Sequence, residues 1–101
     1  MKTLACVVLA IAPIAAAAQT PQALYARALA ANCAGCHGTE GHAVPGSALP
    51  SLAGMPRDAM LQQLRAFRDG SRPATVMQQV AKGYSDAQLA QLAGYFAAQI
   101  Q

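Results

Sequence analysis

The chain has 101 residues, 54% of them hydrophobic and only 11% charged, with a formal net charge of +3 at pH 7. It contains no run of basic residues and no mixing of basic with aromatic residues, so nucleic-acid binding is not expected. Much of the apolar content is alanine, with no tryptophan and two phenylalanines, so a core of these side chains would be small and a large bound group is expected to fill it.

The beginning of the chain has the features of a secretory signal peptide. A cationic start is followed by an apolar run, Leu4–Ile14, and by small residues that end at Ala18. The run is shorter than the roughly 20 apolar residues that a membrane-spanning helix needs. We therefore predict that residues 1–18 are a cleaved signal peptide that includes Cys6, and that residues 19–101 are a single periplasmic domain without a membrane span.

The first predicted helix of this domain spans Gln22–Asn32. Pro21 suits its first turn, and apolar residues recur at helical spacing. Residues 35–54 follow, where the density of glycines and prolines predicts a loop without a helix, and no strand pattern is present. A loop of this length is unusual in a small domain unless it wraps a bound group.

Two further helices are predicted after this loop. Pro56 opens the second helix, which is expected to run to about Asp69 because Gly70 is a natural C-terminal stop. A short third helix is expected at roughly Ala74–Lys82, between a proline and a glycine. No strand is predicted anywhere, so the domain is expected to be all-α.

The last predicted helix begins at Asp86 and ends at about Gln99. Ser85 and Gln88 have the spacing of a capping box, in which the side chain of each residue accepts a hydrogen bond from the backbone amide of the other. Gly94 lies inside this helix, where glycine costs about 1 kcal/mol relative to alanine. We interpret Gly94 as a point of close contact with the first helix rather than a tolerated defect.

Two cysteines and a histidine follow the first helix in the pattern Cys33-Ala-Gly-Cys36-His37. This pattern is typical of covalent haem c attachment, because two thiols at this spacing can form thioethers with one porphyrin while the histidine ligates its iron. A thioredoxin-like redox pair would need a strand–helix setting, a zinc site would need a fourth ligand, and a disulfide across so short a loop would contribute little. We therefore predict one covalently bound haem c.

The residues alone leave the second axial ligand of the iron open. The candidates are Met55, Met60, Met77 and His42. On reach along the chain Met77 leads and Met55 is second, whereas Met60 is placed to pack in the core. His42 follows His37 too closely to reach the opposite haem face and is interpreted as an exposed loop residue. A methionine would raise the reduction potential and disfavour the binding of small molecules.

Between residues 24 and 99 the chain resembles the class I cytochromes c. A helix runs into CAGCH, LPSLAG follows, and a helix, a methionine-bearing segment and a final helix complete the order. The resemblance implies an all-α fold of about four helices wrapped around one covalently bound haem, with the N- and C-terminal helices crossing. The matching methionine is Met77, which the resemblance implies as the sixth iron ligand.

The same resemblance assigns roles to residues around the haem. It implies that the carbonyl of Pro50 accepts a hydrogen bond from His37 Nδ1, which would orient the imidazole, and that Leu52 packs on the haem plane. It also matches Tyr25, less specifically, with Tyr95 or Phe96 as an aromatic pair between the crossing terminal helices.

A narrower resemblance covers residues 74–99, ATVMQQVAKGYSDAQLAQLAGYFAAQ. This segment is similar to the cytochrome subunit of flavocytochrome c sulfide dehydrogenase, which implies that a flavoprotein subunit oxidises sulfide and passes electrons to the haem. Free-standing periplasmic carriers share much of the segment, so a soluble electron carrier is the alternative. A haem-based sensor or peroxidase-like enzyme with a labile sixth ligand is the third hypothesis.

Basic residues flank the methionine-bearing segment. They are Arg57, Arg65, Arg68, Arg72 and Lys82. They predict either a docking rim for an acidic redox partner or an ordinary solvated helix face, since arginine is also a good helix former.

Overall fold

The computed structural model of the protein describes residues 12–13 and 17–101. Within these ranges the helical elements, in chain order, are α1 (Pro21–Ala31), α2 (Ala34–His37), a 3-10 turn (Thr39–Gly41), α3 (Arg57–Asp69), α4 (Met77–Lys82) and α5 (Asp86–Ala97). The described residues contain no strand, which confirms the all-α prediction. The predicted signal peptide, Cys6 included, lies outside the described residues apart from 12–13 and 17–18. None of the helices described is both long and apolar enough to cross a membrane.

The predicted loop contains a short helix, so the expectation that residues 35–54 form none is wrong. In α2, two backbone amides donate to the Cys33 carbonyl oxygen at 3.3 and 2.9 Å, which continues the chain from α1 as one further helical turn. A glycine inside this turn adopts ordinary helical backbone, and the chain leaves the helix only at Gly38, where φ is 83°. A Cβ at Gly38 would overlap the His42 carbonyl group, so only glycine fits there.

The remainder of the loop is held against α5 by backbone hydrogen bonds. The Gly41 carbonyl oxygen accepts from the amides of Leu52 and Ala53 at 2.8 and 3.2 Å, and the Gly54 amide donates to the Phe96 carbonyl oxygen at 2.9 Å. Gly41 has a φ of 82°, and a Cβ at this position would lie 2.8 Å from the Phe96 ring. The loop can approach α5 this closely because residue 41 has no side chain.

Helix α5 lies at the centre of the molecule and packs against both α1 and α3, while α4 packs against α3. The buried core joins one residue of α1 to residues of α3 and α5. Its members are Ala30, Met60, Leu61, Leu89, Leu92, Ala93 and Phe96. Because α1 contributes only an alanine and α3 only two side chains, the core is small for a domain of this size.

The predicted capping box at the start of α5 is present. The Ser85 hydroxyl accepts from the Gln88 amide at 3.2 Å, and the Gln88 side-chain oxygen accepts from the Ser85 amide at 2.9 Å. The same glutamine donates to the Tyr25 hydroxyl at 2.9 Å, which ties α1 to α5. Tyr25 is therefore held by a hydrogen bond, and the aromatic pair among the described residues is Tyr95 with Phe96, edge to face at 5.2 Å.

The interpretation of Gly94 as a close contact with α1 is wrong. A Cβ at Gly94 would meet only the Arg57 Nε atom, at 3.9 Å, which is ordinary van der Waals contact. We therefore expect Gly94→Ala to raise the free energy of unfolding by about 1 kcal/mol, since alanine loses less conformational entropy in a helix interior. Urea unfolding of the two haem-loaded proteins measures this difference. A destabilised Gly94→Ala variant would show that the backbone of α5 is approached more closely than the structure indicates.

Candidate haem site

A cavity of about 450 Å³ lies between α2, the loop after it, and helices α3, α4 and α5. Its wall is mostly apolar, and it includes all six residues that the sequence assigned to a haem site. These are Cys33, Cys36, His37, Pro50, Leu52 and Met77. Cofactor sites have volumes of roughly 300–1,000 Å³ and are lined mainly by apolar side chains. The size and the lining of this cavity therefore suit a porphyrin.

The two cysteines lie on one turn at the rim of this cavity. Cys33 is half-buried, Cys36 is exposed, and neither forms a disulfide. Burial, followed by the nearby Cys36, raises the pKa of the Cys33 thiol. Reactive redox cysteines have a lowered pKa instead, so this environment does not favour a thioredoxin-like pair. Within the described part of the chain, no three His, Cys, Asp or Glu side chains come together as a metal site.

The imidazole of His37 is buried and oriented by the loop. Its exposed fraction is 8%, and its Nδ1 atom lies 2.8 Å from the Pro50 carbonyl oxygen. A protonated Nδ1 can donate to this carbonyl, which leaves Nε2 unprotonated and free to ligate a metal. Proline provides this acceptor because it lacks only the amide hydrogen. The arrangement matches the orientation that haem iron requires of a histidine ligand.

Three methionines line the cavity, so reach alone does not distinguish them. Met60 is 3% exposed and belongs to the buried core, and Met55 packs against that core. Met77, the first residue of α4, is partly buried and lies outside the core cluster. Its thioether is therefore the one that packing leaves available at the cavity wall.

His42 is exposed, as the sequence predicted, and it does not line the cavity. Its Nε2 atom lies 2.6 Å from the Ile100 carbonyl oxygen, and its Nδ1 atom lies 3.2 Å from that of Thr39. The ring thus connects the turn after α2 with the segment after α5. Sequence reasoning missed this link because His42 and Ile100 are 58 positions apart in the chain.

Most of the basic residues near α4 are engaged within the chain. Arg65 and Arg68 both bind Asp86, with their NH2 atoms 2.6 and 2.9 Å from its carboxylate oxygens. Arg57 pairs with the adjacent Asp58 at 3.0 Å. These arginines hold α3 to the start of α5 or neutralise a neighbour, so the solvated-face interpretation describes them better than a free docking rim.

Asp86 makes acid stability testable. Hydrogen bonds from Arg65 and then Arg68 lower the pKa of its carboxyl from 3.8 to about 2. A carboxyl whose pKa is lowered by folding stabilises the folded state at pH values above its pKa in the unfolded chain. This contribution disappears as the pH falls from about 4 towards 2. We expect Asp86→Asn to be less stable than the wild type at neutral pH, and the difference between them to shrink as the pH falls from about 4 towards 2.

Thermal unfolding of the haem-loaded proteins between pH 2 and pH 6, at low salt, measures the effect of Asp86→Asn. Asp58→Asn is the matched control, because it removes a carboxylate from the first turn of α3 that pairs with one neighbouring arginine. A constant stability difference between wild type and Asp86→Asn across this range would contradict the prediction.

Comparison with known proteins adds three kinds of similarity. The family described as cytochrome C oxidase, cbb3-type, subunit III matches residues 16–96. The chain is 42% identical over 91 residues to a thiosulfate dehydrogenase electron acceptor of Thiomonas intermedia, covering 88% of this chain and 42% of that protein. It is 41% identical over 68 residues to the cytochrome subunit of sulfide dehydrogenase of Chlorobaculum tepidum, covering 67% and 60%.

A solved structure agrees with the fold. The cytochrome c4 structure of Acidithiobacillus ferrooxidans superimposes with a TM-score of 0.68 at 30% identity, covering 81% of this chain and 52% of that one. The chain thus spans about two fifths to three fifths of the length of these relatives.

Proposed function

We propose that this chain, which belongs to the cytochrome c family, transfers single electrons in the periplasm through one haem c. Members of this family carry covalently bound haem and act as electron carriers or as cytochrome subunits, and are not catalysts themselves. The observation that carries the proposal is one apolar cavity whose wall presents two thiols, a buried imidazole and a thioether. These groups fit the attachment and axial ligation of haem.

Each of these residues has a separate role in the proposed site. The bound haem supplies a one-electron iron couple. Cys33 and Cys36 would hold the porphyrin through thioether bonds. His37 would ligate the iron through Nε2, and its Nδ1 contact of 2.8 Å with the Pro50 carbonyl oxygen orients the ring for this role. Met77 would supply the second protein ligand to the iron, and its neutral sulfur would favour the ferrous state.

The apolar wall of the cavity supports this role by excluding water. Leu52 lines the cavity and is partly buried, and it would pack against the porphyrin. An apolar environment around the haem would keep solvent reorganisation small when the iron changes oxidation state. With His37 and Met77 both bound, the iron would have no open position, so the reduced protein should resist carbon monoxide. The sensor or peroxidase hypothesis predicts the opposite, a readily formed carbon monoxide complex.

Three exposed apolar side chains line the mouth of the cavity. Leu49, Val76 and Val80 have exposed fractions of 45%, 59% and 39%. Apolar side chains at the centre of an interface are the usual contacts of a protein partner. We propose that a redox protein docks on these three residues and exchanges electrons with the haem there.

The docking residues can be tested by a charge substitution. We expect Val76→Asp to slow reduction of the haem by its partner by about tenfold, equivalent to roughly 1.4 kcal/mol, because docking would desolvate the new carboxylate. Stopped-flow absorbance measures the rate. Val44→Asp is the matched control, since Val44 is 69% exposed but does not line the cavity. Equal rates for the two variants would place the docking surface elsewhere.

The proposed electron donor is the flavoprotein subunit of a sulfide dehydrogenase. Residues 74–99 resemble the cytochrome subunit of that enzyme, and the relative from Chlorobaculum tepidum bears its name. The test is purification from the periplasm of the producing organism. We expect haem and flavin absorbance to elute together at a mass well above the 10.4 kDa of this chain, and sulfide to reduce the haem.

A free-standing carrier is the second candidate, and the relative named as a thiosulfate dehydrogenase electron acceptor favours it. The carrier predicts that the haem protein elutes alone, without flavin, and that a thiosulfate-oxidising enzyme reduces it. Elution alone, together with no reduction of the haem by sulfide, would overturn the subunit proposal. Rapid carbon monoxide binding by the reduced protein would overturn both electron-transfer proposals.

A further inference from the structure

Of the residues that the structure describes, Arg72 is the one side chain with a permanent charge in the wall of the haem cavity. It lies in the segment that connects α3 to α4, two residues after Gly70 ends α3. The other described arginines each lie within 4.0 Å of a carboxylate. Among the described residues, Arg72 has no carboxylate partner. Arg72 is exposed to solvent, so its guanidinium needs no partner within the chain and is available at the cavity wall to an anionic group of a ligand.

Three contacts fix Arg72 against the last turns of α3. Its backbone amide donates to the Ala66 carbonyl oxygen at 3.0 Å. Its NH1 atom donates to the Gln63 side-chain oxygen at 2.7 Å, and its guanidinium carbon lies 4.6 Å from the centre of the Phe67 ring. Gln63 and Phe67 also line the cavity. The guanidinium is therefore held in place before any ligand binds, with NH2 and Nε still available as donors.

We propose that Arg72 binds a propionate carboxylate of the porphyrin, an inference that rests on the haem site proposed above. A porphyrin of the haem type carries two propionates, and a guanidinium suits a carboxylate because its parallel N–H groups can donate to both oxygens. The charge of Arg72 then offsets one negative charge close to the iron. The ferric state carries one more positive charge than the ferrous state, so a nearby cation destabilises it more. The Arg72 charge therefore raises the reduction potential.

The other titratable groups around this position do not replace Arg72. In the cavity wall they are Cys33, Cys36 and His37, which the haem itself would occupy. At the end of α3, Asp69 accepts from the Ser71 amide at 2.8 Å, and Arg68 is bound to Asp86. Removal of the Arg72 charge should therefore raise the pKa of the propionate, because no neighbouring cation replaces it.

The test compares the midpoint potential of the haem-loaded wild type with that of Arg72→Gln from pH 5 to pH 9. We expect Arg72→Gln to have a lower potential at pH 7. We also expect the potential of Arg72→Gln to fall with rising pH over a range in which the wild-type potential is constant. Without its cation the propionate should ionise at a higher pH, and it binds its proton more tightly when the iron is ferrous. Arg72→Lys keeps the positive charge but loses the paired N–H groups of the guanidinium, so its midpoint potential should lie between those of the wild type and Arg72→Gln.

Arg57→Gln is the matched control, since it removes one arginine charge outside the cavity wall. If Arg72→Gln keeps the haem and iron–sulfur bands of the wild type but shares the potential profile of Arg57→Gln, the Arg72 inference is overturned while the haem site stands. Absence of a covalent haem spectrum from the wild type would overturn both.

A measurement on the wild type alone covers the case in which Arg72→Gln fails to fold. In protein loaded with haem labelled by carbon-13 at both propionate carboxyls, one carboxyl resonance should stay at its ionised position to a lower pH than the other. Two resonances that titrate together at the pH of a free carboxylate would overturn the inference.

Discussion

Met77→Ala is expected to abolish the weak red absorption band that a sulfur–iron bond gives to the oxidised protein. The substitution removes the one cavity-lining thioether that core packing does not use. Axial ligands set haem potentials over a range of about 0.8 V, and we expect this loss to lower the midpoint potential by on the order of 0.1 V. The open iron position should then bind carbon monoxide readily in the reduced state.

Met55→Ala and Met60→Ala are the matched controls for Met77→Ala. Both should retain the red band, although Met60→Ala should lower the free energy of unfolding by about 2–5 kcal/mol because it leaves a cavity in the core. Absorption spectra, potentiometric titration and carbon monoxide binding distinguish the three variants. A red band that persists in Met77→Ala and disappears in Met55→Ala would assign the ligand to Met55.

The double substitution Cys33→Ala, Cys36→Ala is expected to eliminate covalently bound haem. Both thiols lie on the turn that forms the rim of the cavity, and no other cysteine is present among the described residues. Any haem that remains should be extractable with acidified acetone, whereas haem in the wild type should stay with the polypeptide. Without the porphyrin the small core leaves the domain only marginally stable, so most of the protein should be degraded after export.

Each single cysteine variant should retain one thioether, which a red-shifted absorption band of the reduced protein would report. Cys6→Ser is the control for loss of a cysteine as such, because Cys6 is predicted to leave with the signal peptide. Haem that resists extraction from the double variant would contradict the thioether assignment. Loss of haem in Cys6→Ser would contradict the predicted leader.

Features that depend on neighbouring residues were predicted well from the sequence. The capping box of Ser85 and Gln88 is present, and the observed start of α3 at Arg57 is one residue from the prediction. Glycine at position 70 ends α3 in the left-handed region as expected. Such signals are reliable because the atoms that cap or end a helix come from residues within one turn of each other.

Features that depend on distant partners could not be predicted in this way. Gly94 was expected to contact α1, but the space beside it holds the Arg57 side chain. The helix α2 was missed for a different reason: its hydrogen bonds to Cys33 are local, but the glycines in and after it favour a loop. The basic cluster could be assigned only when Asp86 was seen between Arg65 and Arg68.

The amino-acid sequence by itself determined the class of site in this protein: two thiols and an imidazole on one turn, in a helical domain with too little apolar volume of its own. These are matters of spacing and composition, which the chain carries locally. Only the tertiary structure decided which groups meet there. It placed the Pro50 carbonyl on His37, left Met77 outside the core, and brought Arg72 to the cavity wall without a carboxylate partner among the described residues. Those contacts join residues far apart in the chain, and long-range packing, not local propensity, selects them.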